Sequence, residues 1–217
     1  MITLVRTVAP TAYPVSLVEA KSHMNVFHTD TDAKIDQFIA AVTQRLDGWE
    51  GVLGRAIMPQ TWIMYRDRFG CPIHGHHEDD DLGYGHRGQY FWFNDGPMEI
   101  PLPPNISVDL VQYVDDNDVA QTVVSSAYQL VVGGVMPASI RPIYGTSWPV
   151  AKYQPQAVRV TFTAGWPVGR IPETIKQAML LTISHWYENR EAFDPDELFE
   201  LPLGAKILLD PLTVQKV

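Results

Sequence analysis

The chain of 217 residues has a single cysteine, a shortage of cations and no long apolar run. One thiol, Cys71, excludes an internal disulfide framework and a multi-cysteine zinc site, so packing is expected to hold the fold, as in a reducing cytoplasm. Lys and Arg number 16 against 25 Asp and Glu, a formal charge of −9. Proteins grip duplex DNA by neutralising phosphates with a basic face, and this composition argues against that mode. No stretch approaches the ~18 consecutive apolar residues of a membrane span. The opening Met1-Ile2-Thr3-Leu4-Val5-Arg6 lacks the basic region and apolar run of a secretory signal. The expectation is a soluble protein made in the cytoplasm, with no membrane partner. Phosphate-loop, G-x-S-x-G and H-E-x-x-H patterns are also missing. What is present is apolar matter: 46% hydrophobic and 11% aromatic residues, enough for a sizeable core in one large domain or two small ones.

Residues 1–15 are apolar with two prolines and read as an extended arm. Ser16-Leu17-Val18-Glu19 fits a capping box, in which the serine hydroxyl and the glutamate carboxylate satisfy each other's backbone amides, and it predicts a short helix to about Asn25. Ile35, Phe38, Ile39, Val42, Leu46, Trp49 and Leu53 then recur at helical spacing. They predict a helix over 32–53, capped by Asp30 or Thr31 and stopped by Gly54. Lys34, Asp36, Gln37, Gln44, Arg45 and Asp47 form its wet face. From Pro59 to Trp166 the periodicity changes to that of strands, over 61–69, 89–94, 107–114 and 121–132. Asp115-Asp116-Asn117-Asp118 is the polar turn of a hairpin, and Val158, Val160 and Phe162 alternate with Arg159, Thr161 and Thr163 as in a half-buried strand. Pro172 suits a first helical position, opening a helix to Arg190 that is apolar on most sides and is expected to pack on the 32–53 helix. Asp194-Pro195 breaks it, and 201–211 predicts a short apolar helix before the tail. The fold class is therefore α+β. Two N-terminal helices and a long buried C-terminal helix form a small bundle, with a large antiparallel β insertion. The segments are 1–58 (arm and helices), 59–166 (β insertion), 167–200 (core helix) and 201–217 (short helix and tail).

Candidate chemistry concentrates at 74–86. His74, His76, His77 and Asp79 are potential ligands for a divalent metal. On a Gly-rich loop they cannot all converge, and four consecutive acids repel unless solvated, so a wet loop is the better reading. Gly83-Tyr84-Gly85-His86-Arg87-Gly88 matches G-x-G-x-x-G, but an acidic run precedes it and an aromatic β run follows, the wrong context for a dinucleotide. Asn105-Ile106-Ser107 is a glycosylation sequon with no use in a cytoplasmic chain. Cys71 has no partner marking a nucleophile, and His185, beside Trp186 on the apolar helix, reads as a core or interface histidine. Tyr90, Phe91, Trp92 and Phe93 lack the interleaved cations of a single-strand binder and read as sheet core or interface. The acids at 194, 196, 197 and 200 around Leu198 and Phe199 read as a solvated connector. No cofactor is called for.

The order of pieces is distinctive. Ser16-Leu17-Val18-Glu19-Ala20-Lys21 leads through two helices to Gly54-Arg55 and the strand Gln60-Thr61-Trp62. Ile100-Pro101-Leu102-Pro103-Pro104-Asn105 and the hairpin at Tyr113-Val114-Asp115-Asp116 follow, then Arg141-Pro142 and Trp148-Pro149. A strand ending Ala164-Gly165-Trp166 precedes Ile171-Pro172-Glu173 and the closing Trp186-Tyr187-Glu188-Asn189-Arg190. Over about residues 13–212 this resembles the head–tail connector (adaptor, head-completion) proteins of long-tailed phages, prophages and gene transfer agents. The stretch 70–89 is longer than the family pattern. The resemblance implies a non-enzymatic virion protein, made in the host bacterial cytoplasm and placed at the neck, in a ring of twelve subunits beneath the portal protein. It implies that the C-terminal segment meets the portal, which carries over to Ala205, Lys206, Ile207, Leu208, Leu209, Pro211, Leu212 and Val214. The β-region would face the tail-side neck (stopper) protein, and DNA would pass through the lumen without sequence-specific binding. Twelve copies at −9 each give a formal charge near −108, and repulsion of that kind favours sliding over gripping. Two other readings of the residues stay open: a metal-dependent hydrolase using His74, His76, His77 and Asp79, and a monomeric module with a ligand in the β-region.

Overall fold

The computed structural model describes residues 2–73, 91–93, 96–134, 136–167, 169–189 and 201–214, with backbone only at 71–73 and 91–93. In chain order the strands are β1 (Ile2–Val8), β2 (Gln60–Arg66), β3 (Cys71–Ile73), β4 (Phe91–Phe93), β5 (Met98–Ile100), β6 (Asn105–Val114), β7 (Ala120–Val123), β8 (Tyr128–Val131), β9 (Ala138–Pro142) and β10 (Val158–Ala164). The helices are α1 (Leu17–Met24), α2 (Asp32–Leu46), α3 (Glu173–Glu188) and α4 (Leu203–Leu209). The architecture is α+β, with a helical bundle beside antiparallel sheets.

The bundle forms where the sequence marks it. Ser16 Oγ accepts from the Glu19 amide at 3.2 Å while the Ser16 amide donates to Glu19 Oε2 at 2.8 Å, so the capping box is complete and α1 begins at Leu17. Asn25 ends it in the left-handed region, φ 55°. Ile35, Ile39, Val42 and Leu46 line the buried stripe of α2 and meet Ile175, Ala178, Met179 and Ile183 of α3. Phe38 and Trp186 close this seam edge to face, centroids 6.0 Å apart.

Three expectations about the bundle are corrected. The predicted 32–53 helix stops at Leu46, because Asp47 turns extended and Gly48 takes φ +84°. The chain then folds back, so Trp49 and Leu53 reach the two cores from a loop rather than from the helix. Asp47, placed on the wet face by its spacing, is 9% exposed. On α3, Thr174, Gln177, Leu181, His185 and Glu188 form an exposed stripe. His185 is therefore a surface residue, its Nδ1 within 3.0 Å of Asn189 Nδ2 at the helix end.

The five-stranded sheet has the order β1-β2-β10-β6-β7, all antiparallel. The apolar arm is thus its edge strand, and the sheet draws one of its five strands from outside the 59–166 region. The predicted hairpin joins β6 to β7, with Asp115 Oδ1 accepting from the Asn117 and Val119 amides. The predicted 121–132 strand is split by a 3-10 turn at Ser125–Ala127, after which β8 joins a second sheet of order β5-β9-β8. β3 and β4 form a separate two-stranded ladder. Along β10 the expected alternation holds: Val158, Val160 and Phe162 are buried, and Arg159 faces out. These residues pack with Met64 and Val111 against Met98, Ile100 and Ile140 of the smaller sheet. Phe69 stacks on Trp148 at 5.1 Å, and the Trp148 indole donates to the Gly96 carbonyl at 3.0 Å.

Bundle and sheets meet at Gly165. Its φ of +120° suits glycine, and a Cβ there would lie 2.1 Å from the Met58 carbonyl oxygen. Gly165→Ala is expected to lower unfolding stability by about 2 kcal/mol or more, through backbone strain plus displacement of the 56–58 crossing. Urea unfolding monitored by tryptophan fluorescence checks this; an unchanged midpoint contradicts it.

Candidate functional site

Among the described residues no catalytic constellation stands out. Among the described residues no group of three or more His, Cys, Asp or Glu converges to hold a metal. His74, His76, His77 and Asp79 lie outside the described residues, as do 83–88 and the acidic run at 194–200. Cys71 and the aromatic Phe91, Trp92 and Phe93 are placed as strand backbone, while Tyr90 falls outside. No helix of the described residues is long and apolar enough to cross a membrane.

The most concentrated polar structure is one that spacing alone did not mark. Asp47 Oδ1 accepts from the Ile57 amide at 2.7 Å and from Gln60 Nε2 at 2.8 Å, while Oδ2 accepts from Arg6 Nη1 at 3.3 Å. The guanidinium of Arg6 also lies 5.7 Å from the centre of the Trp62 ring. One carboxylate thus ties the end of α2, the start of β2 and β1 together. Burial pushes the Asp47 carboxyl above its ordinary value, with the Ile57 amide, Gln60 and Arg6 pulling partly back. Elsewhere, Ser16 hydrogen bonds hold Glu19 below its ordinary value, and Gln121 leads the groups that do the same to Asp115. The only local sign of Asp47 in the sequence is an Asp-Gly pair at the end of an apolar stripe, which reads equally as a solvated helix end.

The C-terminal segment divides into a docked side and an exposed side. Ala205 and Leu209 are fully buried in the bundle core, and Leu208 and Leu212 pack against it half-buried. Ala205 and Leu209 are therefore spent on this chain's own fold. Lys206, Ile207 and Pro211 face solvent, and Val214 is half-buried. Leu203 and Ile207, one helical turn apart, are 73% and 62% exposed. The segment is fastened beyond α4 as well. The Val214 amide donates to the Leu53 carbonyl at 2.9 Å, and Arg55 Nε donates to the Leu212 carbonyl. Arg55 is 2% exposed and stands 6.0 Å from the Trp166 ring centre. Sequence reasoning found the segment but not the Arg55 fastening, which depends on a loop folding back.

Because its folded-state carboxyl titrates above 3.8, Asp47 favours the native state at low pH and loses that contribution as pH rises through the raised value. Asp47→Asn keeps an oxygen for the Ile57 amide and removes the charge. The variant is expected to lose this decline, so that its stability relative to wild type grows as pH rises above about 4. Urea midpoints from pH 4 to 8 measure it, and parallel curves for the two proteins would refute it.

No protein-family model and no curated protein matches the chain. Solved structures do match it, along nearly its whole length. A chain from the neck of an empty gene transfer agent (GTA) particle, computed with C6 symmetry, has a TM-score of 0.68 at 18% identity, covering 99% of this chain and 97% of that one. A chain from the virion of a native gene transfer agent particle gives 0.61 at 18% identity, over 99% and 96%. A chain from the neck of a native GTA particle, computed with C12 symmetry, gives 0.58 at 18%, over 99% and 97%. At this identity the likeness is one of fold: the bundle with its antiparallel sheets is the fold of these gene transfer agent particle chains.

Proposed function

We propose that the chain is a head–tail connector, a structural subunit that forms a ring beneath a portal protein, joins a DNA-filled head to a tail and lines the channel between them. The observation that carries this reading is the end-to-end likeness, 99% of this chain against 97% of a neck chain at a TM-score of 0.68. Further support comes from the connector-like order of sequence motifs. A formal charge of −9 per copy suits a channel wall that DNA slides past. In this reading the protein is not an enzyme, needs no cofactor and resides at the virion neck, with a tail-side neck protein on the far side of the ring.

The portal contact is assigned to the exposed side of the C-terminal segment, centred on Leu203, Ile207 and Pro211. Exposed aliphatic side chains a helical turn apart, followed by a short tail, form an anchor for a groove on a partner. Deleting 205–217 is a poor probe, since it strips Ala205 and Leu209 from the core. The double variant Leu203→Ser/Ile207→Ser separates the roles. Its retention on the portal protein of the same genome is expected to fall at least tenfold, with the thermal midpoint nearly unchanged. Leu209→Ala is expected to cost about 2–5 kcal/mol in stability. Co-purification with tagged portal measures retention, and undiminished retention of the double variant would defeat the assignment.

A further inference from the structure

We propose that adjacent copies of this chain join by sheet extension, β1 of one copy pairing with β7 of the next. The inference rests on the ring reading above and names the interface that closes the ring. β1 is the last strand of the five-stranded sheet, so one side of its backbone has no ladder partner among the described residues. Natural sheets guard such edges with proline, lysine or a covering element. Ile2–Val8 contains neither residue, exposes Ile2, Val5 and Val8, and pairs its one cation, the part-exposed Arg6, with Asp47.

The surroundings of β1 suit an added strand on both faces. On one face a cleft of about 630 Å³ opens beside it, lined among others by Leu4, Arg6, Tyr13, Trp49 and Trp62. The Trp62 indole N–H there is buried without a hydrogen-bond partner. On the other face Val5, Ile63, Thr161 and Leu110 stand in register across four strands. Val5 ends this row at the sheet edge and is 44% exposed, while Ile63 beside it is buried without belonging to either hydrophobic core. An incoming strand would send alternate side chains into the cleft and onto this row.

The occupant is a second copy's β7. It is the opposite free edge of the same sheet, and a closed ring needs two different surfaces of one subunit to mate. Residues 119–124 carry no charge, and Val119 and Val124 are exposed. Copies that each bear −9 approach best through such neutral edges. With five antiparallel strands, β1 and β7 run the same way. Rotation about an axis along the strands preserves that direction and makes every junction a parallel pair.

Hydrogen exchange on the portal-assembled ring against the free monomer tests the pairing directly. Amides in both 2–8 and 120–123 are expected to slow at least tenfold on assembly. Val5→Lys and Thr122→Lys, both on the outward face, are each expected to cut ring formation on the portal at least tenfold while the monomer's thermal midpoint holds. The pair Val5→Lys/Thr122→Glu is expected to assemble. A ring whose β1 or β7 amides stay unprotected, or rings formed by both lysine variants as by wild type, would overturn the pairing and leave the connector reading intact. Protection of β1 without β7 would mean that a strand of another protein occupies the edge, and would also overturn it. Wild-type protein that neither binds portal nor forms a ring would overturn both.

Discussion

The carboxylate of Asp47 sits where helical bundle meets sheet, and the junction is organised around the demands of burying it. A carboxylate taken out of water has to be supplied with donors. Three elements supply them: the Ile57 amide from the crossing segment, Gln60 from β2 and Arg6 from β1. Each donor is held by a different stretch of backbone, so satisfying one carboxylate fixes three chain segments relative to the end of α2. Losing a donor here would leave a buried charge short of partners, a penalty of about 1–3 kcal/mol or more. The helix ends at Leu46 rather than Leu53 for the same reason, since the backbone must turn at Asp47 to bring Ile57 and Gln60 within reach.

Two apolar cores flank that junction, and both are finished by segments distant in sequence. The bundle core takes Ala205 and Leu209 from α4, and the sheet core takes Trp148 from the long connection before β10. Apart from Asp47 and Arg55 at that junction, charge among the described residues is kept out of the buried interior. Asp115 of the β6–β7 turn accepts from its own turn and the exposed Asp118 pairs with Lys152, while the neighbouring strand edge is neutral. In the ring proposed above, this separation would serve an acidic subunit, because like charges directed at solvent or a channel need not oppose one another across a contact.

Much of this was readable in the sequence where local rules decide. The Ser16–Glu19 box, the Asp115–Asp118 turn and the alternation from Val158 to Ala164 each specify their geometry within a few residues, and each is found as read. The misreadings share a physical cause, which is dependence on distant partners. The stripe from Ile35 to Leu53 keeps helical spacing although the chain reverses at Gly48, because residues on a folded-back loop can return to a core at the same interval. Apolar Ile2–Val8 looks like an arm until β2 is there to pair with it. His185 sits in an apolar run yet on the exposed stripe, because the bundle leaves that side of α3 uncovered. Of the candidate site, the C-terminal segment was legible as an apolar helix. Which half of it is free was not, since the docked half is chosen by Ile183, Leu53 and Arg55 far upstream.

The 47–55 loop links the two surfaces on which assembly would depend. At its start, Asp47 holds β1 through Arg6; at its end, Arg55 holds the C-terminal segment through the Leu212 carbonyl. The two ends are themselves joined, by a parallel bridge between Asp47 and Arg55 and by the Gly48 amide donating to the Arg55 carbonyl at 2.6 Å. Gly51 leaves this reversal no slack, for a Cβ there would fall 2.5 Å from the carbonyl oxygens of Leu46 and Asp47. The sheet edge and the C-terminal helix are therefore not independent appendages but opposite ends of one tight turn. A subunit in a symmetric ring has to present its lateral contact and its axial contact at a constant separation in every copy. In the proposed ring, a nine-residue loop closed on itself, with a buried ion at each end, would set that separation by covalent reach and hydrogen bonding rather than by flexible linkage.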